Sequence, residues 1–366
     1  MSKCIMLGID LHDEALVVKL AEDRGRAETL GFDNTRAGRR RLWAEARRRS
    51  GPRRRTRVVM AYEASCQGFG FHDEAVAEGF ECYVLAPTKI ARSASQRRRK
   101  TDEQDAARLL EIVRGHVLAG NELPAVWVPD AQTRDDREIT RTRLELAEKL
   151  TAVKAQAQML LKRHRQCRPK VVGRGWTNGF ASWLRGLTGP RSPLGQGARV
   201  ALGTLLRQKD FLEQEIATLG EAVERLAEKP AYAEAAAALS GEKGVGLLTA
   251  MVVLTELGNL RRFANRKQIG AYLGLAPSSA ESGKVDDRKG HITRQGPWRV
   301  RRVLCQCVWA RIRGDDGEAA VYKRIAAKNP RHKKIAVVAL MRRLGVRLWH
   351  LGRTVQERQA SVAAAA

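Results

Sequence analysis

The chain has 366 residues, enough to bury at least one full core and to carry two domains plus a connector. Lys and Arg number 67 against 40 Asp and Glu, a formal net charge of +27 that repels itself in a compact state and asks for a polyanionic partner. Nucleic acid is the first candidate; a membrane surface is the weaker one, since no apolar run approaches the ~20 residues of a spanning helix, and an aromatic content of 5% argues against a surface built mainly on base stacking.

In chain order, residues 1–128 alternate between strand and helix patterns. Segments 4–10 (CIMLGID), 15–20 (ALVVKL) and roughly 25–32 read as three successive strands with short turns. An Arg-rich helix follows near 37–50, and the apolar runs 58–62 and 82–86 bracket a helix near 69–79. Pro87 closes the second run, and a helix carrying KTDEQDAARLLEIV begins near 101. Three strands followed by helix-separated strands form an α/β layered pattern.

Residues 129–235 change character. Leu146, Leu150, Val153, Ala157 and Leu160 step by four and three along one helical stripe, and Leu205, Leu212, Ile216, Leu219, Val223 and Leu226 form another. These two long helices pair with each other or with another subunit. The Gly-, Pro- and Trp-bearing segment between them is too irregular for a single helix. Residues 236–366 read as compact and mostly helical, with a Gly/Ser-rich break at 277–296. The tail ERQASVAAAA has no core to join and is expected to fray. Cys4, Cys66, Cys82, Cys167, Cys305 and Cys307 show neither disulfide-framework nor zinc spacing, and are expected to be reduced thiols, mostly in cores. The N-terminus MSKCIMLGID lacks the zones of a signal peptide, which places the chain in the cytosol with the nucleoid.

Four carboxylates stand out. Asp10 ends the first apolar run, Glu63 ends the run VVMAYE, and Asp102 and Asp105 lie three apart on one face at a helix start. Carboxylates at strand ends beside a helical Asp pair can cage hard divalent cations such as Mg²⁺, which wants oxygen ligands. Two such ions ~4 Å apart can activate a nucleophile and stabilise a leaving oxygen in phosphodiester cleavage. The competing reading is local: an Asp after a strand often closes a turn, and Thr101 or Asp102 can cap the helix. Glu63 resists that reading, because a carboxylate ending an apolar strand is costly if buried alone. Arg97, Arg98, Arg99 and Lys100 directly precede the Asp pair and suit a phosphate backbone. The Arg39–Arg41, Arg47–Arg49 and Arg53–Arg55 clusters, and the basic run 331–334, suit nucleic-acid backbone as well.

In the last third, Gly244 and Gly246 separate two apolar helical stretches, as in the hairpin of a helix-hairpin-helix DNA-binding unit or a plain helix–helix turn. Pro277 opens a loop with Ser278, Ser279 and Ser282, followed by Lys284, Arg288, Lys289, Arg294, Arg299, Arg301 and Arg302. A serine hydroxyl needs a base, a metal or strong positive charge to become a nucleophile. On the residues alone, any of the three serines qualifies.

The order GID…YEA…KTDEQDA resembles the DEDD transposases of bacterial insertion sequences, a group that includes Piv-like DNA invertases and bridge-RNA-guided recombinases. The resemblance implies a RuvC-like, ribonuclease-H-type catalytic domain at 1–128, with Asp10, Glu63, Asp102 and Asp105 as its four acidic residues. A second segment resembles the family's transposase domain through its GL-x-P…SG…G-x-I-[ST]-[KR]-x-G pattern. Here that pattern reads Gly274-Leu275-Ala276-Pro277, Ser282-Gly283 and Gly290-His291-Ile292-Thr293-Arg294-Gln295-Gly296. The resemblance maps the nucleophilic serine onto Ser282. It further implies a coiled-coil connector at 129–235 and a serine-bearing, mostly helical domain at 236–366.

The function so implied is a transposase that cuts and rejoins DNA. Mg²⁺, two ions per site, sits on the carboxylates, and Ser282 forms a covalent serine–DNA intermediate. Donor and target DNA, a bridge (guide) RNA, and assembly as a dimer or tetramer in which one subunit's serine completes another's acidic site follow from the family alone. The alternatives are a metal-dependent, structure-specific nuclease of the junction-resolvase kind without serine chemistry, and a non-enzymatic nucleic-acid binder.

Overall fold

The computed structural model describes residues 3–51, 56–90, 101–173, 175–279, 289–328 and 330–365. It divides into two compact units, residues 1–128 and 129–366.

In the first unit a five-stranded sheet is built from β1 (Cys4–Leu11), β2 (Ala15–Glu22), β3 (Glu28–Asp33), β4 (Arg57–Glu63) and β5 (Glu81–Leu85). Its order is β3-β2-β1-β4-β5. Short turns make β1, β2 and β3 an antiparallel meander. Beyond them α1 (Arg36–Ser50) and α2 (Gly70–Ala77) carry the chain across, so β4 and β5 run parallel to β1. The central strands β1 and β4 are covered on both faces, which is why they read as unbroken apolar runs rather than as alternation. Ile5, Leu7 and Ile9, with Val58, Met60 and Tyr62, pack on Leu42, Trp43 and Ala46 of α1 and on Phe71 and Ala75 of α2. The intervening residues Cys4 and Met6, with Val59 and Ala61, face α3 (Asp102–Ala119) through its Leu109, Leu110 and Val113. Past α3, the chain pairs along the free edge of β5, where Ala86 N–H donates to Pro124 O and Val126 N–H to Val84 O, blunting an otherwise open strand.

The arginines of α1 are largely matched by acids of the same unit. Arg39 grips Glu74 through two nitrogens, at 2.7 and 2.9 Å, and Arg41 meets Asp33. Arg47 pairs with Glu78, Arg48 with Glu45, and Arg49 with Glu45 and Glu28. Hydrogen bonds from Arg48 and Arg49 hold the Glu45 carboxyl down at about 2. Most of the positive charge on this helix is thus neutralised where it stands. Arg53–Arg55 lie outside the described residues.

The second unit starts with two 33-residue helices, α4 (Ala131–Arg163) and α6 (Gln196–Glu228), separated by α5 (Asn178–Gly186). They pair with each other. Leu144, early in α4, shares a core with Val223 and Leu226, late in α6. Ala157, Leu160 and Leu161 share another core with Leu202 and Leu206, where α5 closes the end with Phe180 and Leu184. The pair is thus antiparallel. Its middle is held by a polar cluster, Lys209 with Asp210 and Glu213, and Lys154 with Glu213.

The near end of this pair merges into a helical body of α7 (Ala233–Ser240), α8 (Leu247–Leu257), α9 (Arg266–Tyr272), α10 (Trp298–Gly314), α11 (Asp316–Lys328) and α12 (Lys334–Ala365). Before α10, strands β6 (Pro277–Ser279) and β7 (Lys289–Ile292) form an antiparallel ladder, a feature the Gly/Ser-rich break did not announce. The tail also departs from expectation. It continues α12 as helix to Ala365 because alanine is the best helix former, although no buried side chain lies beyond Val355 among the described residues. All six cysteines are free, yet only Cys4, Cys82 and Cys307 are buried; Cys66 and Cys167 are exposed.

One buried contact anchors α4 on this body. Arg137 donates Nε to Thr255 O at 2.7 Å and an Nη to Glu256 O at 3.0 Å, satisfying carbonyls at the end of α8 that the helix itself leaves open. Arg141 adds a two-pronged pair with the Glu256 carboxylate. Arg137→Ala strands both carbonyls, so urea unfolding is expected to show a loss of about 1–3 kcal/mol.

Candidate active site

The site grows from one face of the first sheet. Strand alternation that puts Met6 and Gly8 of β1 under α3 also puts Asp10 there, and the same rule carries Val59, Ala61 and then Glu63 of β4 to that face. Ile9 pairs with Tyr62, so Asp10 and Glu63 follow one another across neighbouring parallel strands. On α3 the buried stripe Asp105, Ala106, Leu109, Leu110, Val113 faces the sheet, and Asp102 continues it toward the helix start. Thr101 takes the N-cap, its side chain accepting from Gln104 N–H at 3.3 Å, so Asp102 is not used as the cap.

Close approach of helix to strand depends on Gly8. A Cβ at that position would lie 2.2 Å from both Ala106 O and Leu110 N, so the backbone of α3 rests on the strand with no side chain between them.

This contact brings Asp10 and Asp102 together, with His12 between them. His12 Nε2 is 3.0 Å from Asp10 Oδ2 and 3.4 Å from Asp102 Oδ1. Among the described residues, Asp10, His12 and Asp102 offer donor atoms all within 4.8 Å of one another. Asp105 is buried and pairs with Arg108 at 3.0 Å. Burial pushes the Asp10 carboxyl up; the His12 hydrogen bond and charge oppose that rise, while the charges of Asp102 and Asp105 add to it. Burial alone would lower His12, but the hydrogen bond and charge of Asp10, helped by Asp102, leave it raised. Negative charge is concentrated here, and a divalent cation on oxygen donors would relieve it.

Of the four acids expected from sequence, the structure brings Asp10 and Asp102 together around His12, while Glu63 ends the neighbouring strand on the same face and Asp105 lies one turn further along α3 against Arg108. The sequence reading missed His12. It directly follows β1, at a position that reads in sequence as a turn residue.

The expected nucleic-acid residues have varied surroundings. Arg97, Arg98, Arg99, Lys100, Ser282 and Lys284 lie outside the described residues. Gly244 and Gly246 are exposed in the turn before α8, and Gly244, with φ +75°, faces the Arg311 side chain. Arg294 is exposed. Arg299 and Arg302 of α10 pair with Glu145 and Glu148 of α4, and Arg301 donates to the carbonyls of Leu273, Gln295 and Gly296. Ser278 donates its hydroxyl to His291 O at 3.0 Å across the β6–β7 ladder.

Comparison with known proteins supplies the class. A DEDD transposase family of the IS110 type matches residues 7–165, the stretch that holds all four acids. A second, described as "Transposase IS116/IS110/IS902 family", matches residues 236–323. Both matched families are families of transposases. The candidate transposase y4rJ of Sinorhizobium fredii strain NGR234 is 30% identical over 330 residues, covering 84% of this chain and 80% of the relative. The chain therefore belongs to the IS110 family of insertion-sequence transposases. The candidate transposase y4qE of the same strain is 32% identical over 69% of this chain, an alignment that spans 58% of y4qE. A transposase for insertion sequence element IS1533 of Leptospira borgpetersenii is 23% identical over 82% of this chain and 83% of its own length.

Gly8→Val forces α3 off the sheet. Overpacking of this kind costs about 1–3 kcal/mol or more, so chemical denaturation should show a loss at least in that range. The same variant should lose any heat stabilisation by added divalent cation, because Asp102 and Asp105 move away with the helix.

Proposed function

We propose that the chain cuts and rejoins DNA during transposition of its insertion sequence, with its first unit acting as a RuvC-like, ribonuclease-H-type catalytic domain. The convergence of Asp10 and Asp102 over the β1 end, inside the stretch that matches a DEDD transposase, carries this reading. The sheet order, with three antiparallel strands followed by two parallel ones, supports the fold assignment.

Asp10, Glu63, Asp102 and Asp105 would hold the Mg²⁺ ions. When bound, these would neutralise charge building on a scissile phosphate and lower the barrier to its attack. Ser282 is the proposed nucleophile. Its Oγ gives up its proton and bonds to phosphorus, while the bond from phosphorus to the leaving deoxyribose oxygen breaks and that oxygen takes up a proton. A deoxyribose hydroxyl from the second DNA end then attacks the same phosphorus and releases the serine, so the phosphodiester is restored without an external energy source. The chain's own acids, Asp10 and Glu63 at the strand ends and Asp102 and Asp105 on α3, would hold the cations through which the phosphate is positioned.

The partners are proposed on the same footing. A net charge of +27 suits donor and target DNA together with a guide RNA. Leu146, Leu150 and Val153 of α4 stay half-buried in the pair, which suits contact with a second copy and a homo-oligomeric assembly. Among the described residues no helix is long and apolar enough to cross a membrane.

Two variants test the reading. Asp10→Asn should retain DNA binding in a gel-shift assay while recombination between donor and target plasmids drops about 100-fold or more. Ser282→Ala should yield no protein–DNA adduct on a nicked suicide substrate; a Ser282→Ala protein that still rejoins DNA removes the serine from the mechanism. An Asp10→Asn protein with normal recombination removes the acidic site as well.

A further inference from the structure

The four acids of the proposed site leave His12 unexplained, and its backbone is tied on both sides. Its N–H donates to Ala15 O at 3.0 Å, and its carbonyl accepts from Asn34 Nδ2 at 2.6 Å. Asn34 is held in turn by Arg39, which donates to its side-chain and backbone oxygens at 2.9 and 3.0 Å and is itself gripped by Glu74. With its backbone so held, His12 sets its imidazole between carboxylates from two elements, Asp10 of β1 and Asp102 of α3, with Nε2 turned to both.

We propose that His12 is itself a metal ligand, and that Asp10, His12 and Asp102 form a mixed nitrogen–oxygen site that prefers a first-row divalent transition-metal ion such as Mn²⁺ over Mg²⁺. This rests on the reading of Asp10 and Asp102 as metal ligands and changes which metal the site selects. Mg²⁺ demands oxygen donors and sheds water reluctantly. An imidazole nitrogen shifts a carboxylate site toward the transition metals, whose affinity for nitrogen is higher. The hydrogen bonds that His12 makes to the two acids use the same Nε2 that would face a cation placed among the three donors. With the ring proton on Nδ1, the Nε2 lone pair is free to bind.

The test uses the full-length, tag-free protein and Mn²⁺ as the probe. Electron spin-echo spectroscopy of the Mn²⁺-loaded protein should show nitrogen coupling from one imidazole, and His12→Gln should abolish it. In calorimetric titrations His12→Gln should weaken Mn²⁺ binding about tenfold or more and Mg²⁺ binding much less, while circular dichroism confirms the fold. Mn²⁺ binding that depends on Asp10 but shows no nitrogen coupling overturns the ligand role of His12 and leaves the acidic site standing. Nitrogen coupling that persists in His12→Gln also overturns it, and so does an equal loss of Mn²⁺ and Mg²⁺ affinity. Mn²⁺ binding that is indifferent to Asp10→Asn overturns this proposal and the acidic site alike. The wild-type spectrum alone decides the ligand question if the variant fails to fold.

Discussion

The site depends on the contact between Gly8 and the backbone of α3. Asp102 and Asp105 belong to a helix that has no covalent reason to lie near Asp10; they are 92 and 95 positions away along the chain. What brings them there is the apolar stripe Ala106, Leu109, Leu110 and Val113, and what lets it seat deeply is the missing side chain at position 8. Any Cβ would meet helix backbone, which cannot rotate away as a flexible side chain could. Packing of the core and assembly of the acidic cluster are therefore one event. Holding Asp10 there is unfavourable in itself, chiefly because burial desolvates its carboxylate and further because Asp102 and Asp105 repel it, and the burial of the apolar stripe offsets that cost.

A strongly basic chain concentrates its acids where they serve two ends. One group neutralises arginine in place, as Glu28, Glu45, Glu74 and Glu78 do along α1, and as Glu145 and Glu148 do for α10. The other group is gathered beside one sheet face, where His12 and Arg108 are set close against Asp10, Asp102 and Asp105. Formal charge thus overstates the cationic surface on α1. The electrostatic attraction for a polyanion must come from the arginines and lysines that such internal pairs leave over.

Much of the first unit was legible because its signals are local. Buried parallel strands show as apolar runs, and the Thr101 cap followed by acids marks the start of α3. Asp10, Glu63, Asp102 and Asp105 could be picked out since each ends a strand or opens a helix. His12 was not, because it follows the apolar run and looks like a turn residue. The pairing partner of α4 could not be read either. Its stripe is apolar enough for a helix of the same chain or of another, and the choice is made by tertiary contacts such as those of Arg137 with the end of α8. Arginine clusters were the hardest to judge, since a sequence shows density of charge but not the acids that fold back onto it.

The glycine-bearing motif of the last third has a physical reading separate from chemistry. Gly274 and Gly296 both take left-handed backbone, and each lies against the other's neighbour: a Cβ on Gly274 would be 2.2 Å from Gln295 O, and one on Gly296 would be 2.0 Å from Tyr272 O. Arg294 N–H bonds to Gly274 O and Thr293 N–H to Ala276 O, continuing the β6–β7 ladder toward α9. Arg301, reaching from α10, ties together the carbonyls of Leu273, Gln295 and Gly296. The motif is thus a clamp that joins the ends of β6 and β7 to two helices.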